Sequence, residues 1–340
     1  MPAPAAIEKN NMNIEINPQV ELISIIQTIS SYSKTFSFLL AKESSYYKDD
    51  VMNYFGAFKN HPAVSMFDRL SSRPGKLNFN APSFIMLYTD NQLNLRNDIE
   101  PDSFVVGRAS GSDSLNTFLA LLKDFAVKSS FNKFYNQHFE YYLKMANSVA
   151  ENLGTINYIS ELESFYGTKQ KSYNIILVSL YSHVGFGNSV ILHNGQREIY
   201  NVLGPKSFSN KEPLYASESY LKYKIRHEFS HPFINPLTEK HWDYIKGYSS
   251  LFNAVPEQAK KNMCGDWQEC INEFLIRAIT TQIGFNESKE LGEALYNDEK
   301  SRGVNIIDRL LERIKYYLNN RDKFPTFDSY YKIILNEFMK

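Results

Sequence analysis

"KIRHEFSHPF", residues 224–233, places two of the chain's seven histidines four positions apart, with a glutamate directly after the first. In a helix, residues four apart lie one turn apart on the same face. His227 and His231 then aim imidazole nitrogens at a common point, and zinc suits imidazole and takes near-tetrahedral geometry. Glu228 sits about 100° round the helix from His227. That offset keeps it out of the ligand set and near a water on the ion, where a carboxylate serves as general base. The pattern therefore makes chemical sense only on a helix. Leu221, Ile225 and Phe229 form an apolar stripe at a spacing of four, which predicts a helix over 217–231. Pro232 disfavours the α conformation in the residue before it, so a kink or end is expected there, with His231 in the last turn. The competing reading is a pair of solvated or core-satisfied histidines.

Two histidines do not make a catalytic site, which usually has three protein ligands and one open position. A third histidine six residues after His231 would complete a metzincin pattern, but that position is Leu237. His241 lies further on, beyond Pro232 and Pro236. The stretch "DWQECINEFLIRAITTQI" (266–283) reads as a helix marked by Ile271, Leu275, Ile276 and Ile279, and it carries Glu269 and Glu273 one turn apart. Glu273 has apolar neighbours, and a carboxylate buried without a partner is costly. Zinc, or Arg277 one turn on, would supply that partner. Glu273 is thus the expected third ligand. Glu269 and His241 are the alternatives, and a helix-surface pair of Glu273 with Arg277 is the competing reading.

Further out, the chain reads as helices, a small sheet, then helices, which predicts an α+β, mainly helical fold. "INPQVELISIIQTIS" (16–30) is an N-capped helix with Pro near its first turn, and 45–71 is helical with a break at His61-Pro62. A loop-rich stretch with Pro74, Gly75, Pro82 and Pro101 follows, and then helices from 114 to a cap at Gly154. "YNIILVSLY" (173–181) reads as a buried strand, and 188–204 as a hairpin turning at Asn194-Gly195. Residues 304–318 form an amphipathic helix. The expected organisation is a flexible tether over 1–15, a helical lobe over 16–170 and a catalytic lobe over 171–340, together one continuous folded unit. The catalytic lobe would hold the sheet 173–204, the motif helix 217–231, the ligand helix 266–283 and the C-terminal helices.

Composition narrows the function classes. Apolar residues make up 43%, enough for a core, and Lys+Arg and Asp+Glu both total 37. That balance lacks the basic footprint of a nucleic-acid binder. No stretch approaches the ~20 apolar residues of a membrane-spanning helix. "MPAPAAIEKNN" has neither a basic n-region nor an apolar h-region. Its small residues resemble the tether behind a processed leader, so export with the signal removed is expected, with a cytoplasmic location as the alternative. Cys264 and Cys270 are compatible with one disulfide or with two small buried thiols.

His227-Glu228-x-x-His231, followed on a later helix by Asn272-Glu273-x-x-x-Arg277, resembles the gluzincin type of zinc metallopeptidase. "INPQVELISII", "HEFSHPFINPL" and "NEFLIRA" are similar to an uncharacterised bacterial family called domain of unknown function 4932. The resemblance spans most of the chain. It implies a zincin-like fold with a small sheet beside the motif helix, peptidase activity and export. Thermolysin-like gluzincins have Asp where Arg277 stands, so the usual acid that orients a zinc-bound histidine is missing here. The resulting expectation is a zinc (Zn2+) metallopeptidase acting on a peptide or protein substrate. His227, His231 and Glu273 would hold the metal and Glu228 would act as general base. The alternative is a non-catalytic helical binding protein with a structural or vestigial metal site.

Overall fold

Asn17 and Pro18 open the first helix, Pro18–Ile29. The Asn17 side chain accepts hydrogen bonds from the N–H groups of Gln19 and Val20, and Pro18 takes the first helical position, where no N–H is needed. This helix is buried on nearly every side, so its polar residues must find partners inside the protein. Ser24 and Thr28 donate to the carbonyls of Glu21 and Ser24, Tyr47 donates to Glu21 Oε1 at 2.6 Å, and Tyr181 donates to Gln27 Oε1 at 2.7 Å.

The computed structural model describes residues 1–73, 76–99, 103–215 and 218–339. Pro74, Gly75 and Pro101 of the expected loop-rich stretch, and Ser217 of the expected motif helix, lie outside them. The fold is α+β and mainly helical, and the chain divides into two units. One is Met1–Ile156 with Gln170–Lys222, and the other is Asn157–Lys169 with Tyr223–Lys340.

The first unit holds a mixed five-stranded sheet. Its strands are β1 (Ala5–Lys9), β2 (Met12–Ile16), β3 (Ser172–Leu177), β4 (Gly185–Ile191) and β5 (Arg197–Leu203), in the order β1-β2-β3-β5-β4. β1 and β2 are antiparallel, β2 and β5 flank β3 in parallel, and β4 returns antiparallel along β5. The β4–β5 turn contains Gly195 with φ +81°, where a side chain would be strained. A separate two-stranded hairpin, β6 (Ser207–Ser209) with β7 (Glu212–Leu214), follows.

The expected tether is therefore structured from residue 5. Met12, Ile14 and Ile16 alternate with polar residues and are buried. Asn10 and Asn11 both take positive φ, as a two-residue hairpin turn of this kind needs. Tyr135 closes the open end, accepting from Ala5 N at 3.0 Å and donating to Ile16 O. The lobe boundary also differs from expectation. Strand pairing ties 172–203 to β2, so the sheet joins the N-terminal helices and the motif residues His227, Glu228 and His231 fall in the other unit. Helix Tyr158–Tyr166 belongs to that second unit, where Tyr166 stacks on Phe233 at 4.2 Å.

The second unit is built round one long helix, Trp267–Glu287, against which the helices Lys289–Ser301, Ile307–Leu318 and His231–Lys240 pack. Asp266 caps it by accepting from Glu269 N, and Glu269 Oε2 accepts in turn from Gly265 N at 2.7 Å. The Cys264–Cys270 disulfide spans this start. A Cβ on Gly292 would lie 2.1 Å from Phe285, so the glycine allows helix Lys289–Ser301 its close approach to the long helix. No helix among the described residues is long and apolar enough to cross a membrane.

Candidate metal centre

The motif is carried by two helices in series. The first, Glu218–Glu228, ends at Glu228, and His231 is the first residue of the next, His231–Lys240. His231 was expected in the last turn of one helix. The break follows from Pro232, which has no N–H for the ladder and fits the first turn of a new helix. Ser230 bridges the break in right-handed helical conformation, so the one-turn relation of the two histidines survives. Their rings lie 5.0 Å apart at 81°. Leu221, Ile225 and Phe229 are fully buried, as the apolar stripe requires.

Arg226 anchors the motif in its unit. It is 1% exposed, forks onto Glu161 at 2.8 and 2.9 Å and reaches Glu287 at 2.7 Å. The Ser230 hydroxyl donates to the Arg226 carbonyl.

Glu273 arrives from the long helix. Its Oε2 lies 3.6 Å from His227 Nε2 and its Oε1 lies 3.5 Å from His231 Nε2. These separations exceed a good hydrogen bond. Two donors at zinc–ligand distances on a tetrahedral ion stand about 3.3 Å apart, so the spacing suits a shared cation. His231 Nδ1 lies 3.3 Å from Asn235 Oδ1, and in the tautomer with the proton on Nδ1 the free lone pair is on Nε2, the nitrogen that faces Glu273. His227 Nδ1 is buried without a hydrogen-bond partner. Single donor atoms of His227, Glu228 and His231 also lie within 4.8 Å of one another. Glu228 Oε2 lies 3.8 Å from His231 Nε2, and Glu273 faces both imidazoles. Glu273 presents one oxygen to each imidazole, although it is not part of that donor group.

The electrostatics follow from burial. Burial raises the Glu273 carboxyl, but His227, Arg277 and His231 outweigh it and hold the group well below the usual range. Glu228 is likewise held below its ordinary value, since Lys224 and the two imidazoles outweigh burial. Lys224 Nζ lies 3.3 Å from Glu228 Oε1. Burial pushes the His227 imidazole down, against the pull of Glu273, which favours its neutral form.

The alternatives stand elsewhere. Glu269 serves the helix cap, and His241 stacks on Tyr331 at 5.6 Å. Arg277 is not a surface partner of Glu273. Its side chain is 10% exposed, and besides donating Nε to Glu273 Oε2 at 3.0 Å it reaches Glu299, whose side chain is fully buried. Sequence reasoning missed Glu299, which hides in the charged run Asn297-Asp298-Glu299-Lys300. Its one signal is its place one turn after Leu295 and two after Gly292, on the inward face.

Searches of curated proteins and of solved structures return no match. The pattern of a family described as Domain of unknown function (DUF4932) covers residues 12–336, and the chain belongs to that family.

Proposed function

We propose that the protein is a zinc-dependent peptidase of the gluzincin kind, with His227, His231 and Glu273 as ligands and Glu228 as general base. The observation that carries this reading is the placement of Glu273, one carboxylate oxygen facing each imidazole Nε2 at 3.5–3.6 Å. A zinc held there would lower the pKa of its water to about 7 and polarise a carbonyl. The chain's own residues do the rest. Asn235 keeps the His231 lone pair aimed inward. Glu228, 3.8 Å from His231, accepts the proton of the attacking water and passes it to the leaving amine. Lys224, one turn before Glu228, keeps that carboxylate ionised until then. Peptide is the substrate class proposed, because the ligand set and adjacent glutamate match peptide hydrolysis. The Cys264–Cys270 disulfide supports an exported location.

Zinc content and hydrolysis of a mixed peptide library test the reading together. Wild type should bind one zinc and cleave, Glu273→Ala should lose zinc, and Glu228→Ala should keep zinc and stop cleaving. A wild type that takes up no zinc on reconstitution refutes it. Zinc binding without turnover in wild type would favour a structural site instead.

A further inference from the structure

Arg277 occupies the position where an acid would be expected to steady a ligating histidine, and its contacts run elsewhere. Nε donates to Glu273 Oε2 at 3.0 Å, while Nη1 donates to Glu299 Oε2 at 3.0 Å and to Tyr223 Oη at 2.9 Å. Tyr223 in turn donates to Glu299 Oε1 at 3.0 Å, and its ring stacks on His227 at 5.6 Å and 22°. The guanidinium is therefore fixed at both ends. One end is a carboxylate facing the two imidazoles, and the other is a fully buried carboxylate on a helix that Gly292 lets approach closely. A guanidinium held this way presents Nε to one Glu273 oxygen, Oε2, in a fixed direction.

We infer that Arg277, anchored by Glu299 and Tyr223, is the positioning residue of the metal-binding carboxylate. It sets the orientation of Glu273, whereas in thermolysin-like sites an acid orients a histidine. The inference rests on the zinc reading above. It also makes a prediction of definite sign. A cation this close repels a dication, so charge alone says that removing Arg277 should tighten zinc. Orientation says that removing it should weaken zinc, by about 10- to 100-fold as for other outer-shell partners of metal ligands.

The experiment is zinc affinity by competition with a chromophoric chelator, on the full chain, with circular dichroism of each metal-free variant as a check on folding. Wild type and Glu273→Ala establish whether there is a site at all. Arg277→Met should bind zinc about 10- to 100-fold more weakly than wild type. Arg277→Lys should not restore affinity, because an ammonium cannot span both carboxylates. Since Arg277→Met leaves Glu299 buried and unpaired, the double variant Arg277→Met/Glu299→Gln removes both charges together and should show the same weakening. Glu299→Gln alone keeps the shape and should weaken zinc less. If wild type binds zinc and Glu273→Ala does not, yet Arg277→Met or the double variant binds as tightly as wild type or tighter, the positioning role is overturned and the ligand set stands. If wild type binds no zinc, the ligand set fails first and this inference falls with it.

Discussion

Glu21 is the residue whose titration should be most visible in the stability of the first unit. It sits 1% exposed in the helix Pro18–Ile29, accepting a hydrogen bond from Tyr47, which also shares one with Tyr142 at 2.6 Å. Burial dominates and lifts its carboxyl from the ordinary 4.5 to about 7, with the Tyr47 and Ser24 hydroxyls pulling the other way. Tyr47, Tyr142, Tyr141 and Tyr215 around it are all raised by burial and stay neutral. Below pH 4.5 both folded and unfolded chains hold the proton, and Glu21 adds no pH dependence. Between 4.5 and 7 the unfolded chain releases the proton first, so stability falls as pH rises, and above 7 the loss is complete. At about 1.4 kcal/mol per tenfold change in proton affinity, the full loss is about 3 kcal/mol. Glu21→Gln keeps the acceptor for Tyr47 and removes the charge. It should match wild type within about 1 kcal/mol at pH 4.5 and exceed it by up to about 3 kcal/mol at pH 8. Urea unfolding of both proteins across pH 4.5–8 reads this difference, and taking the difference cancels every other titrating group. A gap between the two that stays flat with pH, or narrows towards pH 8, refutes the reasoning.

Three further outcomes follow from the packing. Replacing Cys264 and Cys270 with Ser opens a loop with a sequence separation of only 6, so the loss should be modest, about 2 kcal/mol; comparison of denaturation midpoints with and without the bond reads it. Tyr135→Phe removes the hydroxyl that joins Ala5 N to Ile16 O, at a cost of about 1–3 kcal/mol. Amide exchange in β1 and β2 should speed up while the second unit keeps its protection, and unchanged exchange in the hairpin would contradict the role given to Tyr135. Arg226→Met removes the guanidinium from Glu161 and Glu287, whose side chains are 29% and 26% exposed. Solvent screens part of that cost, so about 2–3 kcal/mol is expected, less than for a fully buried pair; a loss near zero in urea titration would show that Arg226 is no anchor.

What could be read from the sequence divides by range. Asn17-Pro18 and Asn194-Gly195 act through their own backbone or the next turn, and each is where a local rule places it, whereas the break expected at Pro232 falls before His231. The hairpin at residues 5–16 was legible too, in the alternation of Met12, Ile14 and Ile16 and in the Asn10-Asn11 turn. Reading it as a tether gave the small residues of "PAPAA" more weight than that period. The pairing of Ile14 with Ile175 is of another kind. Nothing local in β2 names a partner so far along the chain, so the sheet was assigned to the wrong lobe. In the candidate site the same division holds. His227, Glu228 and His231 are one motif. Glu273 was found because a carboxylate among apolar residues needs a reason. Glu299 and Tyr223 were not found, since their role exists only once three helices meet.

That meeting crowds charge around the two imidazoles. Among the described residues, Lys224 pairs with Glu228, Arg277 serves both Glu273 and Glu299, and Arg302 also acts on Glu299. The Glu299 side chain is fully buried and that of Glu273 nearly so. Buried charge without a partner is expensive, and a group in that position ordinarily takes up a proton. The Glu273 carboxyl goes the other way and is held ionised. The proposed cation between the imidazoles would meet this carboxylate at the 3.5–3.6 Å separations on either side of Glu273.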